Sequence, residues 1–317
     1  MQEVRYWYGP AEERSARDAA NIAAAAAAPA QEPRHRRPLK IVHGDGALGV
    51  SGEQFEILFS YPEGGPVSLV CDGQQWLWRA PRPTFWRAPT ENDMGNGFAA
   101  DSSIWAAVDR WQKCSNIQIL EETKDLVSIR YTFTAPAMPG LKAAVTYTVD
   151  CDHMEVKVHY FGDAGRPQLP LFGLRFATPA PIETVEWIGL SGETYPDRKK
   201  GGLFGKHREV PHIPNYLVPQ ECGCHMDTHQ TMLHRSNRVL TIDKTDMPYA
   251  FSAIPYTPQQ ISEACHVYEL PTPCRTVVSI YGAMRGVGGI DSWGSNVEEA
   301  YHVASDRDIS FTFRVGL

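Results

Sequence analysis

Alternation of apolar and polar side chains with a period of two is the feature that most restricts the fold of this chain. In residues 127–133, VSIRYTF, every second side chain is apolar. Similar runs occupy residues 55–59, 145–149, 154–160 and 309–315. Successive side chains on a β-strand point to opposite faces, so each run predicts a strand with one buried and one wetter face. Many short strands separated by turn residues predict an all-β, antiparallel sandwich.

Helical segments are few. Residues 103–111 and 257–265 are the two that we predict, and Thr257-Pro258 supplies an N-cap followed by a proline at the first helical position. Residues 1–38 differ from the rest because they are rich in alanine and proline and lack an apolar stripe. We therefore predict two parts, a flexible tail or linker over 1–38 and one domain over 39–317.

Composition excludes several classes of protein. The net charge of −7 argues against a nucleic-acid partner, because the phosphate backbone selects basic surfaces. The sequence contains no apolar run of the length that a membrane span needs and no secretion signal at its start, so we expect a cytoplasmic protein without a membrane partner. Seven scattered cysteines suit reduced thiols better than a disulfide scaffold.

A metal cluster is one interpretation of Cys222 and Cys224 with His225, His229 and His234. Structural zinc usually uses C-x-x-C paired with a distant second pair, whereas this segment has C-x-C followed closely by histidines. We expect no metal in this chain, with zinc as the open alternative.

Six acidic residues lie in polar, turn-like stretches and are candidates for glycoside chemistry, which needs two carboxylates. They are Glu91, Asp93, Glu193, Asp197, Glu221 and Asp291. Spacing along the chain does not reveal which of them converge, so the sequence assigns no catalytic residue.

Two segments combine aromatic residues with glycine and polar residues. Residues 84–97 read TFWRAPTENDMGNG, and residues 286–296 read GVGGIDSWGSN with Trp293 near the middle. An aromatic ring on a polar loop can stack on the apolar face of a sugar while its neighbours bind hydroxyls. Packing of Trp293 into the core is the equally weighted alternative.

Several motifs together resemble the small chain of family-2 β-galactosidases, which corresponds to the C-terminal domain of the single-chain enzymes. The motifs are TFWRAPTENDMGNG (84–97), WIGLSGETYPDR (187–198), VPQECG (218–223), FSAIPYTPQQISEACHVYELP (251–271) and GVGGIDSWG (286–294). The resemblance covers residues 39–317 and implies a large supersandwich of the galactose-mutarotase-like type.

In that family the catalytic glutamates belong to a TIM barrel of about 250 residues, for which this chain has no room. The resemblance therefore implies a chain with no catalytic residues, inactive alone, that partners a large catalytic subunit or domain acting on lactose-like β-galactosides. Magnesium and sodium are expected in that partner and no cofactor is expected here.

The resemblance also implies roles for two segments. Trp293 would be a stacking platform for the sugar, with Asp291 and Ser292 beside it. Asn92, Asp93, Gly95 and Asn96 would belong to a gating loop near the pocket. Those residues complete the sites that we predict for this chain.

Three motifs depart from the family pattern. The usual G-L-G-P-x-E-N-Y-x-D-R is shortened and lacks its proline at 189–198, and P-x-E-N-G-N carries Cys222 and Cys224 in place of both asparagines. Ile290 replaces the first acid of G-G-D-D-S-W. These departures leave open a nonfunctional remnant. Residues 1–38, which lie outside the resemblance, leave open a gene fragment or a rearranged small-subunit gene.

Two other functions remain open. A free-standing carbohydrate-binding protein would bind galactosides without a partner. A mutarotase-like epimerase would need an acid and a base in the sandwich cleft, and His153, His159 and His266 are its candidate histidines, although none lies in a recognised motif.

Overall fold

The computed structural model describes residues 38–317, so the tail predicted for 1–38 lies outside the described residues except for Pro38. The strands in chain order are β1 (Lys40–His43), β2 (Ala47–Ser51), β3 (Phe55–Ser60), β4 (Gly65–Cys71), β5 (Gln74–Gln75), β6 (Arg82–Thr84), β7 (Lys113–Glu122), β8 (Val127–Ala135), β9 (Met138–Val149), β10 (His153–Phe161), β11 (Leu171–Ala177), β12 (Thr184–Leu190), β13 (Phe204–Glu209), β14 (Cys224–Thr228), β15 (Gln230–Arg235), β16 (Arg238–Lys244), β17 (Tyr249–Ile254), β18 (Val277–Met284) and β19 (Ile309–Gly316). The α-helices are α1 (Glu91–Gly95), α2 (Phe98–Asp101), α3 (Ile104–Trp111) and α4 (Pro258–Glu263), and short 3-10 turns cover Val267–Glu269 and Glu299–Tyr301.

Three antiparallel sheets form the described part of the chain. The largest has nine strands in the order β13-β12-β15-β16-β19-β10-β9-β8-β7. Two five-stranded sheets have the orders β1-β2-β3-β4-β5 and β14-β17-β18-β11-β6. The last strand, β19, lies between β10 and β16 and joins the two halves of the large sheet. The predicted all-β, antiparallel fold is confirmed.

Each segment with period-two alternation is a strand. Residues 127–133 lie in β8, where Val127, Ile129, Tyr131 and Phe133 are buried and Arg130 is exposed. The runs at 55–59, 145–149, 154–160 and 309–315 lie in β3, β9, β10 and β19. Alternation therefore located these strands because one face of each is covered by the core.

Both predicted helices are present. Thr257 caps α4 by accepting a hydrogen bond from the Gln260 N–H, with Pro258 in the first turn. Helix α3 buries Trp105 and Val108, three residues apart on one face. The ring of Trp105 stacks on Phe85 at 5.5 Å between centroids, which fixes the helix against the strand-rich core.

Residues 91–95 form a helix where the sequence suggested a loop. Thr90 and Asp93 make a reciprocal capping box, in which each side chain accepts a hydrogen bond from the other residue's backbone N–H. That cap satisfies free N–H groups at the start of a very short helix. The spacing of Thr90 and Asp93 was the sequence signal for α1.

The core receives side chains from all three sheets. The ring centroids of Phe59 on β3 and Tyr147 on β9 are 5.6 Å apart, and those of Phe172 on β11 and Phe311 on β19 are 6.1 Å apart. The nine-stranded sheet thus packs against both smaller sheets. All seven cysteines lie in the described part and are free thiols. Within residues 38–317, no helix combines the length and the apolar character that crossing a membrane requires.

Candidate functional site

Trp293 projects from a loop that we call the tryptophan loop, residues 290–296. Trp293 is 90% exposed, so the alternative that it packs into the core is wrong. The Asp291 carboxylate accepts hydrogen bonds from the Trp293 N–H at 2.9 Å and from the Ser295 hydroxyl at 2.5 Å. These bonds, the Ser295 hydroxyl first, lower the pKa of Asp291. The loop is therefore closed on itself and presents its aromatic ring outward, with Ser292 exposed beside it.

The glycine segment, residues 286–289, joins β18 to the tryptophan loop and is held by a buried arginine. Arg87 donates to the Arg285 carbonyl at 2.8 Å and to the Gly286 carbonyl at 2.9 Å. Its guanidinium also pairs with the buried Asp93 carboxylate at 3.0 Å. Because Arg87 and Asp93 are each 1% exposed, this ion pair is shielded from solvent. Asp93, predicted to belong to a gate, thus ties α1 to the glycine segment.

A second set of contacts fixes the same segment from the other side. Asp197 accepts hydrogen bonds from the Val287 N–H at 3.0 Å and the Gly288 N–H at 2.8 Å. The Arg198 guanidinium donates to the Gly288 carbonyl. The Asn92 amide donates to the Val287 carbonyl at 2.9 Å. Backbone polar groups of the glycine segment are therefore bonded to side chains from α1 and from the turn after β12.

Helix α1 and the tryptophan loop also touch directly through their glycines. Gly294 has φ +80°, and a Cβ atom there would lie 2.9 Å from the Gly95 carbonyl oxygen. Only a residue without a side chain fits this left-handed, close approach. The structure thus brings together the two aromatic and glycine-rich segments, 84–97 and 286–296, as one surface. Asn96, at the end of α1, accepts a hydrogen bond from the Phe98 N–H at 3.0 Å.

Arg285 supports this surface, and sequence reasoning missed it. Its side chain is buried, lies over the Phe98 ring at 4.0 Å and donates to the Asn296 side chain. Burial lowers the pKa of Arg285 to about 10, and Asp93 opposes that shift. The only signal in the sequence was an arginine directly after the apolar residues of β18.

Most of the six candidate acids are engaged with the protein itself. Glu193 accepts hydrogen bonds from the Tyr216 hydroxyl at 2.8 Å and from the Gly223 N–H at 2.6 Å. The carboxylates of Asp93, Asp197 and Asp291 likewise accept hydrogen bonds from backbone N–H groups. Glu221 is different, because its carboxyl is buried and its Oε1 has no hydrogen-bond partner among residues 38–317. Burial raises the pKa of Glu221 to about 7, although Arg87 and Arg175 oppose the shift. Glu91 is exposed at the start of α1.

The geometry around the C-x-C segment does not support the zinc alternative. Cys222 and Cys224 are buried, and burial raises the pKa of both thiols. The two ring nitrogens of His225 lie 2.8 Å from the Gly192 carbonyl and 3.0 Å from Glu209. Among residues 38–317, potential ligand atoms gather only at Asp150, Asp152 and His153, where Asp150 caps the β9–β10 turn.

Of the histidines considered for an epimerase, His153 and His159 lie six residues apart on β10, and His266 lies after α4. His159 on β10 is 3.1 Å from Asp308, and His266 is 2.9 Å from Glu269. His153 is the first residue of β10, and its Nδ1 lies 3.8 Å from the Asp150 carboxylate. Each histidine therefore has a nearby surface carboxylate of its own.

These features define a large antiparallel β-sandwich protein that displays an anchored tryptophan at one end of a strand. The sequence also matches the model of a protein family. The model of the family described as "Beta galactosidase small chain" matches residues 51–315, and the chain belongs to this family.

Similar proteins fall into two size classes. The "Beta-galactosidase small subunit" of Latilactobacillus sakei is 42% identical over 310 residues, which cover 87% of this chain and 97% of that protein. The "Beta-galactosidase" of Halalkalibacterium halodurans is 35% identical over 293 residues, 90% of this chain but 29% of that protein. The chain thus spans less than a third of the larger relative's length.

Solved structures give a distant likeness. A galactose mutarotase-like protein from Lactobacillus casei aligns with a TM-score of 0.46 and 10% identity, over 86% of this chain and 99% of that one. Galactose 1-epimerase from Lactobacillus acidophilus aligns with a TM-score of 0.43 and 8% identity, over 87% of this chain and 97% of that one.

Proposed function

We propose that this chain is the noncatalytic small subunit of a retaining β-galactosidase and completes an active site that a large subunit supplies. The observation that carries the proposal is the exposed indole of Trp293 on a loop whose base is rigidly bonded. An apolar ring in full contact with water is costly to leave uncovered and is suited to stack on a sugar. Asp291 and Ser292 lie beside the ring to bind sugar hydroxyls.

The anchoring contacts support this role. A platform for a ligand must be held in position by packing and hydrogen bonds behind it. Arg87, Asn92 and Asp197 supply those bonds to the glycine segment, and Asp93 holds Arg87 in place through their buried ion pair. The surface formed by Gly95 and Asn96 next to Gly294 is the gate that we propose beside the pocket.

The chemistry in the assembled enzyme would be double displacement through a galactosyl-enzyme, and the large subunit would provide both carboxylates. The metal ions expected in such an enzyme, magnesium and sodium, would be bound by that subunit. This chain alone would be inactive. The substrate would be a lactose-like β-galactoside, and the site of action the cytoplasm.

The test is hydrolysis of a chromogenic β-galactoside by the purified chain, by a large catalytic β-galactosidase subunit, and by the two co-expressed. Activity is expected only, or chiefly, in the mixture. Substantial activity of this chain alone would overturn the proposal and return attention to its own carboxylates.

The role of Trp293 is tested in the active mixture with lactose. Trp293→Ala is expected to raise the KM for lactose and reduce transglycosylation, because stacking on a sugar ring is lost. Trp293→Phe keeps an aromatic ring and is expected to recover part of the affinity and of the transglycosylation. Tyr268→Ala is the matched control, since Tyr268 is also an aromatic residue with 81% exposure but lies outside the tryptophan loop. Unchanged lactose kinetics in Trp293→Ala would contradict the platform role.

A further inference from the structure

A second surface of the chain has a composition unlike that of the tryptophan loop. It is a cleft of about 520 Å³ whose lining includes Arg79, Arg82, Arg110, Arg175 and Trp111. We call it the arginine cleft. It lies where α3 ends, beside the last residues of β11 and the first residue of β18.

Two of its arginines are neutralised within the chain. Arg175 pairs with Asp109 at 3.0 Å, and Arg82 pairs with Glu63 at 3.1 Å. Arg79 and Arg110 are exposed and have no hydrogen bond or carboxylate partner among residues 38–317. The cleft therefore carries an excess of positive charge in a chain whose net charge is −7.

Tryptophans accompany the unpaired arginines. Two guanidinium groups lie near the Trp78 ring, with Arg275 3.7 Å and Arg79 4.8 Å from its centroid. Trp111 is 60% exposed and lies 5.4 Å from the Arg110 guanidinium. Exposed tryptophan beside arginine is the composition that is enriched at energetically important points of protein interfaces.

The arginines also repel one another in the free chain. Burial lowers the pKa of Arg79, the nearby charges of Arg82 and Arg275 lower it further, and Glu63 opposes the shift. Like charges held this close destabilise the cluster, and Glu63, which pairs with Arg82, offsets only part of this repulsion. An acidic partner would relieve that repulsion.

The cleft and the tryptophan loop are well separated. Val277, which lines the cleft, begins β18, and Met284, which precedes the glycine segment, ends it. Eight residues of extended strand span about 25 Å. A partner that covers the cleft therefore makes contacts distinct from those around Trp293.

We propose that the arginine cleft docks an acidic segment of the large catalytic subunit, with carboxylates reaching Arg79 and Arg110 and apolar side chains covering Trp78 and Trp111. This inference rests on the proposed function and adds where the partner binds. Residues 1–37 are a poor occupant, because their arginines outnumber their aspartate and glutamate residues. An acidic segment instead complements the unpaired charges of the cleft.

The test measures binding of the purified full chain to an immobilised large catalytic β-galactosidase subunit. The double variant Arg79→Glu/Arg110→Glu is expected to bind at least tenfold more weakly and to associate more slowly. Trp111→Ala is expected to dissociate faster. Raising the salt concentration is expected to weaken wild-type binding more than that of the double variant, because charge attraction is screened.

The control is Arg130→Glu/Lys157→Glu, which reverses two exposed charges on the nine-stranded sheet. Circular dichroism and the melting temperature check that all variants fold. If wild type, double variant and control bind equally, the cleft is not the docking site, whereas the proposed function stands. If the wild-type chain does not bind the large subunit, both the docking site and the proposed function are overturned. A wild-type homodimer that the double variant dissociates would assign the cleft to a second copy of this chain instead.

Discussion

Replacement of Glu221 by glutamine is expected to change the pH dependence of folding stability. The pKa of this buried carboxyl is raised from 4.5 to about 7, chiefly by burial. Between those two values the native chain holds a proton that the unfolded chain has released. Stability therefore falls as pH rises through this window, and the full cost is present above about pH 7.

The size of the effect follows from the pKa difference. Each pKa unit corresponds to about 1.4 kcal/mol, so Glu221 should cost roughly 3 kcal/mol of unfolding free energy at pH 8 and almost nothing below pH 4.5. Glu221→Gln keeps the shape but removes the charge. The variant should be nearly as stable as wild type at pH 5 and more stable by roughly 2–3 kcal/mol at pH 8.

The assay is urea unfolding of the purified chain followed by tryptophan fluorescence at pH 5, 6, 7 and 8. The relevant quantity is the difference in unfolding free energy between wild type and Glu221→Gln at each pH, which cancels contributions of other groups. Glu263→Gln is the control, because Glu263 is exposed on α4 and its replacement should change the unfolding free energy little. A constant difference between wild type and Glu221→Gln across this range would refute the reasoning.

Two further predictions concern the base of the tryptophan loop. Arg87→Met leaves the buried Asp93 without its cation and should lower the free energy of urea unfolding by about 3–5 kcal/mol. The control Arg314→Met breaks an exposed ion pair and should lower it by less than about 1 kcal/mol. Equal losses in the two variants would contradict the anchoring role. Gly294→Ala should displace the loop from α1 and speed its cleavage by proteinase K. Gly97→Ala is the control because Gly97 has φ +82° but open space around it, so equal cleavage of both variants would assign the effect to backbone strain alone.

The departures from the family motifs fall at positions that the fold accommodates. Ile290, in place of an acid, is 55% exposed, so it fills no core position. Cys222 and Cys224, in place of amides, are buried among apolar neighbours, where a small thiol behaves as an apolar side chain. Glu193 and Asp197 in the shortened motif still bond to backbone N–H groups.

Much of the fold was determined by the sequence itself. Strand positions followed from the period-two pattern because one face of β3, β8, β9, β10 and β19 is covered by the core. The capping residues of α4 located that helix, and the ordered set of motifs identified the family. Trp293 was recognisable as unusual because an indole among glycines and polar residues has no neighbours in sequence that could cover it.

Only the tertiary structure decided how that residue is presented. From the sequence, core packing and display of Trp293 were equally weighted. The choice between them depends on contacts from Arg87, Asn92 and Asp197, which are remote along the chain. The same holds for Glu221 and Arg285, whose burial depends on segments that meet only after the sheets close. Periodicity reports which face of a local segment is covered, whereas the convergence of distant polar groups is set by sheet order and register, which local pattern does not encode.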